Sequence, residues 1–259
     1  MMKTSSEIAS ERGHWYTQSG EPYYTITGKN GKERATTVRD ARKLGLLPSV
    51  TSILSVMPKP GLIAWQKRNV LMSALTLTRQ PDEPDDAYIS RIMADADEQS
   101  RMARDKGTAI HGAIERFILG QHIEDEYKVY VRAAIVALAE HVGIESLLDR
   151  CEAEKSFACP VLLYAGKVDL HSRELSTVVD FKTKAFDEDT KQLAWDEQRC
   201  QLQAYAKGLN MPDARLLNVY ISTTVPGLVR VVEHVWDSRY WDIFTACLRL
   251  WRLVKNYEA

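Results

Sequence analysis

Two short segments in the second half of the chain, Gly166-Lys167-Val168-Asp169-Leu170 and Val178-Val179-Asp180-Phe181-Lys182, constrain the fold more than anything else in it. Each alternates apolar and polar residues, the pattern of a half-buried strand. Val168 and Leu170 are expected on one face and Asp169 on the other, with Val179 and Phe181 opposed to Asp180 and Lys182. His171 to Ser176 is short and polar enough to close a hairpin, which sets Asp169 nearly opposite Asp180. Two carboxylates and a lysine then share a surface.

Such a cluster has two readings. In one, these are edge-strand charges and Lys182 neutralises the aspartates. In the other, the carboxylates repel unless a cation lies between them, and their hard oxygens suit Mg²⁺ or Mn²⁺. Lys182 then orients or deprotonates a water and helps to neutralise charge developing on a phosphoryl group.

A chain of 259 residues, 45% hydrophobic and 27% charged, can bury a sizeable core as one elaborated domain. A formal net charge of −1 does not advertise nucleic-acid binding over the whole surface, so any such contact has to be local. Cys151, Cys159, Cys200 and Cys247 are far apart and form no C-x-x-C pair, which argues against zinc and against a disulfide scaffold. Met1 to Glu7 lack the apolar run of a signal peptide, and no run approaches the roughly 20 residues that span a bilayer. A reduced, cytoplasmic protein without membrane partners is expected.

Residues 1–48 read as an extension in which Tyr23 to Thr27 is β-prone and Gly28 to Gly31 supplies a turn. Lys29, Lys32, Arg34, Arg39, Arg42 and Lys43 make it the most basic stretch. It is either a solvated charged face or a phosphate-binding surface, with Trp15, Tyr16, Tyr23 and Tyr24 available to stack on bases. Pro48 to Leu54 is β-prone, and Ser49, Thr51 or Ser52 could cap a turn or bind phosphate. Helices are expected over Leu62–Leu77, with Trp65 in the core, and over Ala87–Arg104.

A further amphipathic helix follows Lys106, because Ile110, Ala113, Ile114, Phe117 and Ile118 recur at helical spacing, with Thr108 near its start. His111 borders its apolar face, as a satisfied core histidine or as a ligand. Asp125–Val142 reads as another helix, and Arg150–Phe157 as a strand placing Glu152 and Glu154 on one face, either of which could join the aspartates. Trp195–Leu209 should be helical, with Gln201 and Tyr205 one turn apart, a pair that is usually found on surfaces. Two alternating segments, Leu216–Ile221 and Leu228–Glu233, and a helix over Tyr240–Val254 complete the chain.

The order of these motifs, Gly107-Thr108-Ala109-Ile110-His111, then Glu154, Gly166-Lys167-Val168-Asp169, Asp180-Phe181-Lys182-Thr183 and Gln201-Leu202-Gln203-Ala204-Tyr205, resembles the RecB-like branch of the PD-(D/E)XK nuclease superfamily. That branch includes RecB-type helicase-nuclease domains, phage recombination exonucleases and the mitochondrial genome-maintenance exonuclease. The resemblance covers about residues 105–210, and the Pro48 to Thr51 segment and the Trp65 helix also look like upstream parts of phage members.

The resemblance implies an α/β fold with a central mixed β-sheet flanked by helices on both sides, a nuclease domain over 49–259 and a helical insertion over 62–143. It implies that His111, Asp169, Asp180 and the Phe181 carbonyl ligate the metal and that Lys182 is the catalytic lysine. Glu154, with Glu152 as its rival, matches the acidic residue of the preceding strand, reaching metal through water. Gln201 and Tyr205 match a Q-x-x-x-Y motif that steadies the site or the DNA strand. Thr108, Lys106 and Lys184 would contact substrate. The implied cofactor is Mg²⁺, with Mn²⁺ able to substitute. The four cysteines do not match the spacing of relatives that hold an iron-sulfur cluster, and none is expected.

The implied activity is a metal-dependent DNA exonuclease of phage recombination or repair, working in the host cytoplasm. Its partners would be single- or double-stranded DNA ends and a single-strand annealing or single-strand-binding protein. A structure-specific endonuclease on the same core and a catalytically silent DNA-binding module are the alternatives.

Overall fold

The computed structural model describes residues 14–144 and 147–258; the Met1 to Glu7 reading lies outside them. In chain order the elements are β1 (Trp15–Tyr16), β2 (Thr25–Thr27), β3 (Glu33–Ala35), α1 (Val38–Leu44), β4 (Leu47–Pro48), α2 (Val50–Ile53), α3 (Pro60–Thr76), α4 (Asp85–Ile118) and α5 (Asp125–Val142). There follow β5 (Glu152–Cys159), β6 (Tyr164–Ser172), β7 (Thr177–Lys184), α6 (Asp196–Gly208), β8 (Arg215–Ser222), β9 (Val229–His234) and α7 (Ser238–Lys255). Among the described residues no helix is long and apolar enough to cross a membrane.

The protein is α/β, as expected. Strands β5 to β9 form one mixed sheet in sequence order, antiparallel throughout except that β7 and β8 run parallel. A parallel pair needs a crossover, and α6 supplies it. The sheet is covered on both faces. Ile110, Ala113 and Ile114 of α4 and Val131, Ala134 and Leu138 of α5 pack on Leu170, Val179, Phe181, Leu217 and Val219. On the other face, Leu202, Ala204 and Tyr205 of α6 and Phe244 and Leu248 of α7 pack on Phe157, Tyr164, Val168, Val178 and Leu216. Each fully buried aliphatic side chain contributes about 1.5–3 kcal/mol, so the two layers fix the sheet from both sides.

Several expectations need correction. The helices expected over Ala87–Arg104 and after Lys106 are one helix of 34 residues, α4. Each of its two interior glycines, Gly107 and Gly112, costs about 1 kcal/mol relative to alanine, too little to break a helix whose two ends are packed. Its first part buries Ile92 and Ala96, beside α3, and its second part lies on the sheet. Thr108 therefore sits exposed inside a helix and caps nothing. Of the Pro48 to Leu54 segment expected to be β-prone, only Pro48 lies in a strand, Leu47–Pro48; Ser49 Oγ accepts the Ser52 N–H at 3.0 Å and caps the short helix α2. Trp65 is half-buried, not core, because α3 packs chiefly on α4.

The hairpin expected near the N-terminus is present as β2–β3. Trp15 and Tyr16, expected to be free to stack on bases, are each only 2% exposed. Trp15 packs on Trp251 and Tyr257, and Tyr16 on Tyr24, Leu47 and Ala165. In the basic stretch, Arg34 pairs with Asp40 at 2.6 Å and Arg42 donates to the Lys255 carbonyl at the end of α7.

Candidate functional site

The site forms where β6 and β7 stop pairing. Their ladder runs from Ser172↔Thr177 to Leu170↔Val179 and ends there. At the next register position Asp169 Oδ2 accepts the Phe181 N–H at 2.7 Å, taking a donor that a longer ladder would have used. Across β6 on its other side, the pairs Ala153↔Leu170 and Lys155↔Val168 bracket Glu154, whose φ of 54° is left-handed. A non-glycine residue in that region is uncommon and costs of order 1–3 kcal/mol.

The strand changes face at this level. Leu170 belongs to the core under α4 and α5, whereas Val168 belongs to the core under α6 and α7. The expectation that Val168 and Leu170 share a face is therefore wrong, because period-two alternation is interrupted at Asp169. The same interruption separates the two glutamates expected on one face. Glu152 is exposed and pairs with Lys155 at 3.2 Å, while Glu154 is half-buried, ion-paired with Lys167 and across from Asp169.

Asp180 is the most heavily hydrogen-bonded of the candidates. Its side chain is 3% exposed and receives Lys182 Nζ at 2.9 Å and Gln201 Nε2 at 3.0 Å on Oδ1, and Asn218 Nδ2 at 2.8 Å on Oδ2. Lys182 Nζ also lies 2.8 Å from Oδ2. Gln201 and Tyr205, a pairing usually found on surfaces, are buried, and Gln201 Nε2 donates to the Tyr205 hydroxyl at 2.8 Å as well. Asn218, opposite Asp180 in the parallel ladder, has its own Oδ1 2.8 Å from His234 Nε2. From α4, His111 Nδ1 reaches to 3.9 Å from Asp169 Oδ2.

Electrostatics follow from burial. Burial pushes Asp180 up to about 6, partly opposed by Lys182 and reinforced by Asp169. It raises Asp169 too, and raises Glu154 to about 7 against the pull of Lys167. Burial also draws Lys182 down, but Asp180 and Asp169 outweigh it and leave the ammonium above its ordinary value. Burial and then the Lys182 charge bring His111 down to about 4, so it is a neutral imidazole at neutral pH.

Sequence reasoning missed Asn218, His234, Lys167 and Glu115. Glu115 is one turn after His111 on α4, and its charge bears on Asp169, Glu154 and Lys167. The i, i+4 spacing of His111 and Glu115 was the available signal. The other expected substrate residues are engaged within the protein. Lys106 Nζ donates to the Thr223 carbonyl at 2.6 Å above the Tyr130 ring, and Lys184 Nζ donates to the Leu193 carbonyl at 3.3 Å. Phe181 presents its N–H to Asp169 and buries its ring in the core.

The donor set, a neutral imidazole with carboxylates that bury charge at a cost, has the chemistry of a site for a hard divalent cation. Among the described residues no three His, Cys, Asp or Glu side chains stand at the spacing of a formed coordination shell. Lys182 instead engages both oxygens of Asp180.

No family model matches the chain, and no curated protein matches it. Among solved structures, one described as "Crystal structure of SSO0001" is similar at 17% identity and a TM-score of 0.30, over 74% of this chain and 86% of that one. A likeness that distant carries no argument about activity.

Proposed function

We propose that the protein is a metal-dependent deoxyribonuclease that hydrolyses phosphodiester bonds from DNA ends. The observation that supports this most is the convergence of His111, Asp169, Asp180 and Lys182 from α4, β6 and β7 on the place where the sheet opens. Four separate residues of the motif order noted in the sequence meet there.

His111, Asp169 and Asp180 would hold Mg²⁺ or Mn²⁺, with the Phe181 carbonyl beside them. The bound cation supplies positive charge to phosphoryl oxygens and lowers the pKa of the attacking water. The chain does the rest. Gln201 and Asn218 lock the Asp180 carboxylate from two sides, so its orientation does not depend on the substrate. Asp169 is locked by the Phe181 N–H. Lys182, a cation at neutral pH, pairs with Asp180; released from it, the ammonium can turn to the charge that develops on a phosphoryl oxygen. Glu154, fixed by Lys167, is placed to orient water on the other side of Asp169. Phage recombination or repair is the setting in which this reading places the enzyme, with single-strand annealing or single-strand-binding proteins as partners at DNA ends.

The test is degradation of end-labelled linear single- and double-stranded DNA, with covalently closed single-stranded circles alongside, in Mg²⁺ or Mn²⁺. Shortening of linear DNA from an end with intact circles is the expected result. Cut circles would replace the exonuclease reading by an endonuclease, and untouched DNA of every kind would leave a DNA-binding module without catalysis.

A further inference from the structure

Trp195 stands apart from the other tryptophans. Of the six in the chain it alone is exposed, at 38%; Trp15 and Trp251 are 2% exposed and the remaining three are half-buried. Trp195 is also held in place. Its ring lies against the backbone of Gly61 at the start of α3, so closely that a Cβ there would be 2.9 Å from Cζ2. Its backbone N–H is fixed by Gln198 Oε1 at 3.0 Å, which also accepts the Tyr220 hydroxyl at 2.6 Å. Lys59 pairs with Glu197 at 2.7 Å and ties the start of α3 to the first turn of α6.

These same contacts bind Trp195 to the candidate centre. Tyr220 is opposite Lys182 in the β7–β8 ladder, and Lys184 donates to Leu193, two residues before the indole. Trp195 precedes Gln201 by six positions, about 9 Å along a helix axis. Lys184, donating to the Leu193 carbonyl, supplies positive charge beside it, while Lys59 and Glu197 neutralise each other and Asp196 accepts the Tyr240 hydroxyl at 3.1 Å.

We infer that Trp195 is a stacking platform for a base of single-stranded DNA lying next to the scissile phosphate, which makes an unpaired strand the substrate of the site. The inference rests on the phosphodiester-hydrolase reading above. A duplex keeps both faces of its bases stacked, so only an unpaired base has a face to give to the indole. A ring already seated on Gly61 loses little freedom on binding, the condition under which an exposed aromatic contributes most.

The test is fluorescence anisotropy of a fluorescein-labelled oligothymidylate and of a blunt duplex, in EDTA so that nothing is cleaved. Wild type is compared with Trp195→Ala and Trp195→Phe, each checked for an unchanged thermal melt. Trp195→Ala should weaken oligothymidylate binding about tenfold, the loss of one base stack, and change duplex binding less than twofold or so. Trp195→Phe should stay within about threefold of wild type. Oligothymidylate binding that is unchanged in Trp195→Ala, or weakened equally with the duplex, overturns the inference. Because binding is read without hydrolysis, loss of this inference and loss of the nuclease reading appear in different experiments.

Discussion

Asp180 and Asn218 face each other across the parallel pairing of β7 and β8, and Asn218 Nδ2 donates to Asp180 Oδ2 at 2.8 Å. The asparagine is itself held by His234, so the carboxylate sits at the end of a buried polar chain that starts at the far strand. Lys182 and Gln201 complete its shell. Asp180 thus has one orientation, and its removal takes the carboxylate from three donors at once, leaving Gln201 with the Tyr205 hydroxyl and Asn218 with a backbone carbonyl.

Asp180→Ala should therefore abolish hydrolysis and destabilise the protein by about 3 kcal/mol, the usual scale for breaking a buried charge pair whose partner keeps some access to water. Lys182→Ala should reduce hydrolysis by about 10²–10⁴-fold while destabilising less, since Asp180 can take up a proton and keep Gln201 and Asn218. Urea unfolding and initial rates on end-labelled DNA check both. Equal destabilisation with retained cleavage would mark these residues as structural.

The contact of α4 with β7 sets the height of His111 over the sheet. A Cβ on Gly107 would lie 2.6 Å from Thr183 Oγ1, one residue after Lys182. Gly107→Ala should lower the rate about tenfold by lifting the helix, although alanine favours helix by about 1 kcal/mol. Adding Thr183→Ala removes the offending oxygen and should restore most of the rate. A double-variant cycle measures this, and additive losses would contradict it.

Gln201 and Tyr205 are not equivalent. Gln201 contacts Asp180 directly, whereas Tyr205 only accepts from Gln201. Gln201→Ala should cost about 10–100-fold in rate or metal affinity, the range for groups that orient a ligand. Tyr205→Phe should cost less than about fivefold, because one neutral hydrogen bond is worth about 1 kcal/mol. Steady-state rates across a Mn²⁺ titration separate the two, and a Tyr205→Phe loss as large as that of Gln201→Ala would contradict the order.

His234 gives the pH dependence a sign. Burial, and then the Arg199 charge, lower it to about 4, below its ordinary 6.5. The unfolded chain therefore takes up the proton first, and stability present above about pH 6.5 is lost as pH falls toward 4. The loss is at most about 3 kcal/mol at 1.36 kcal/mol per unit. His234→Gln should remove this component of the slope between these limits, leaving that of His111, which has the same sign, and those of Asp180 and Glu154, which have the opposite one. Denaturant melts at several pH values would show it, and an unchanged slope would contradict it.

Much of this was legible in the chain. Alternation and spacing located β6, β7 and β9, the helix carrying Gln201, and the facing of Asp180 with Lys182, because these depend on local periodicity. The face change at Asp169 was not legible, since a glutamate at position 154 does not announce a left-handed backbone. Asn218 and His234 were hidden for another reason. Their contact with Asp180 depends on β8 lying parallel to β7 and β9 returning beside it, a matter of strand order that no local pattern reports. The continuity of α4 through Gly107 was decided by packing on Thr183 and α3, where propensity favoured neither outcome strongly.

The most direct measurement is Mn²⁺ binding followed by electron paramagnetic resonance, on wild type and on His111→Ala, Asp169→Asn and Asp180→Asn. Wild type should remove free Mn²⁺ from solution, Asp169→Asn and Asp180→Asn should each weaken uptake at least about tenfold, and His111→Ala should weaken it about as much. Wild type that takes up no Mn²⁺, or the three variants binding it as wild type does, would contradict a shared cation at the opening between β6 and β7.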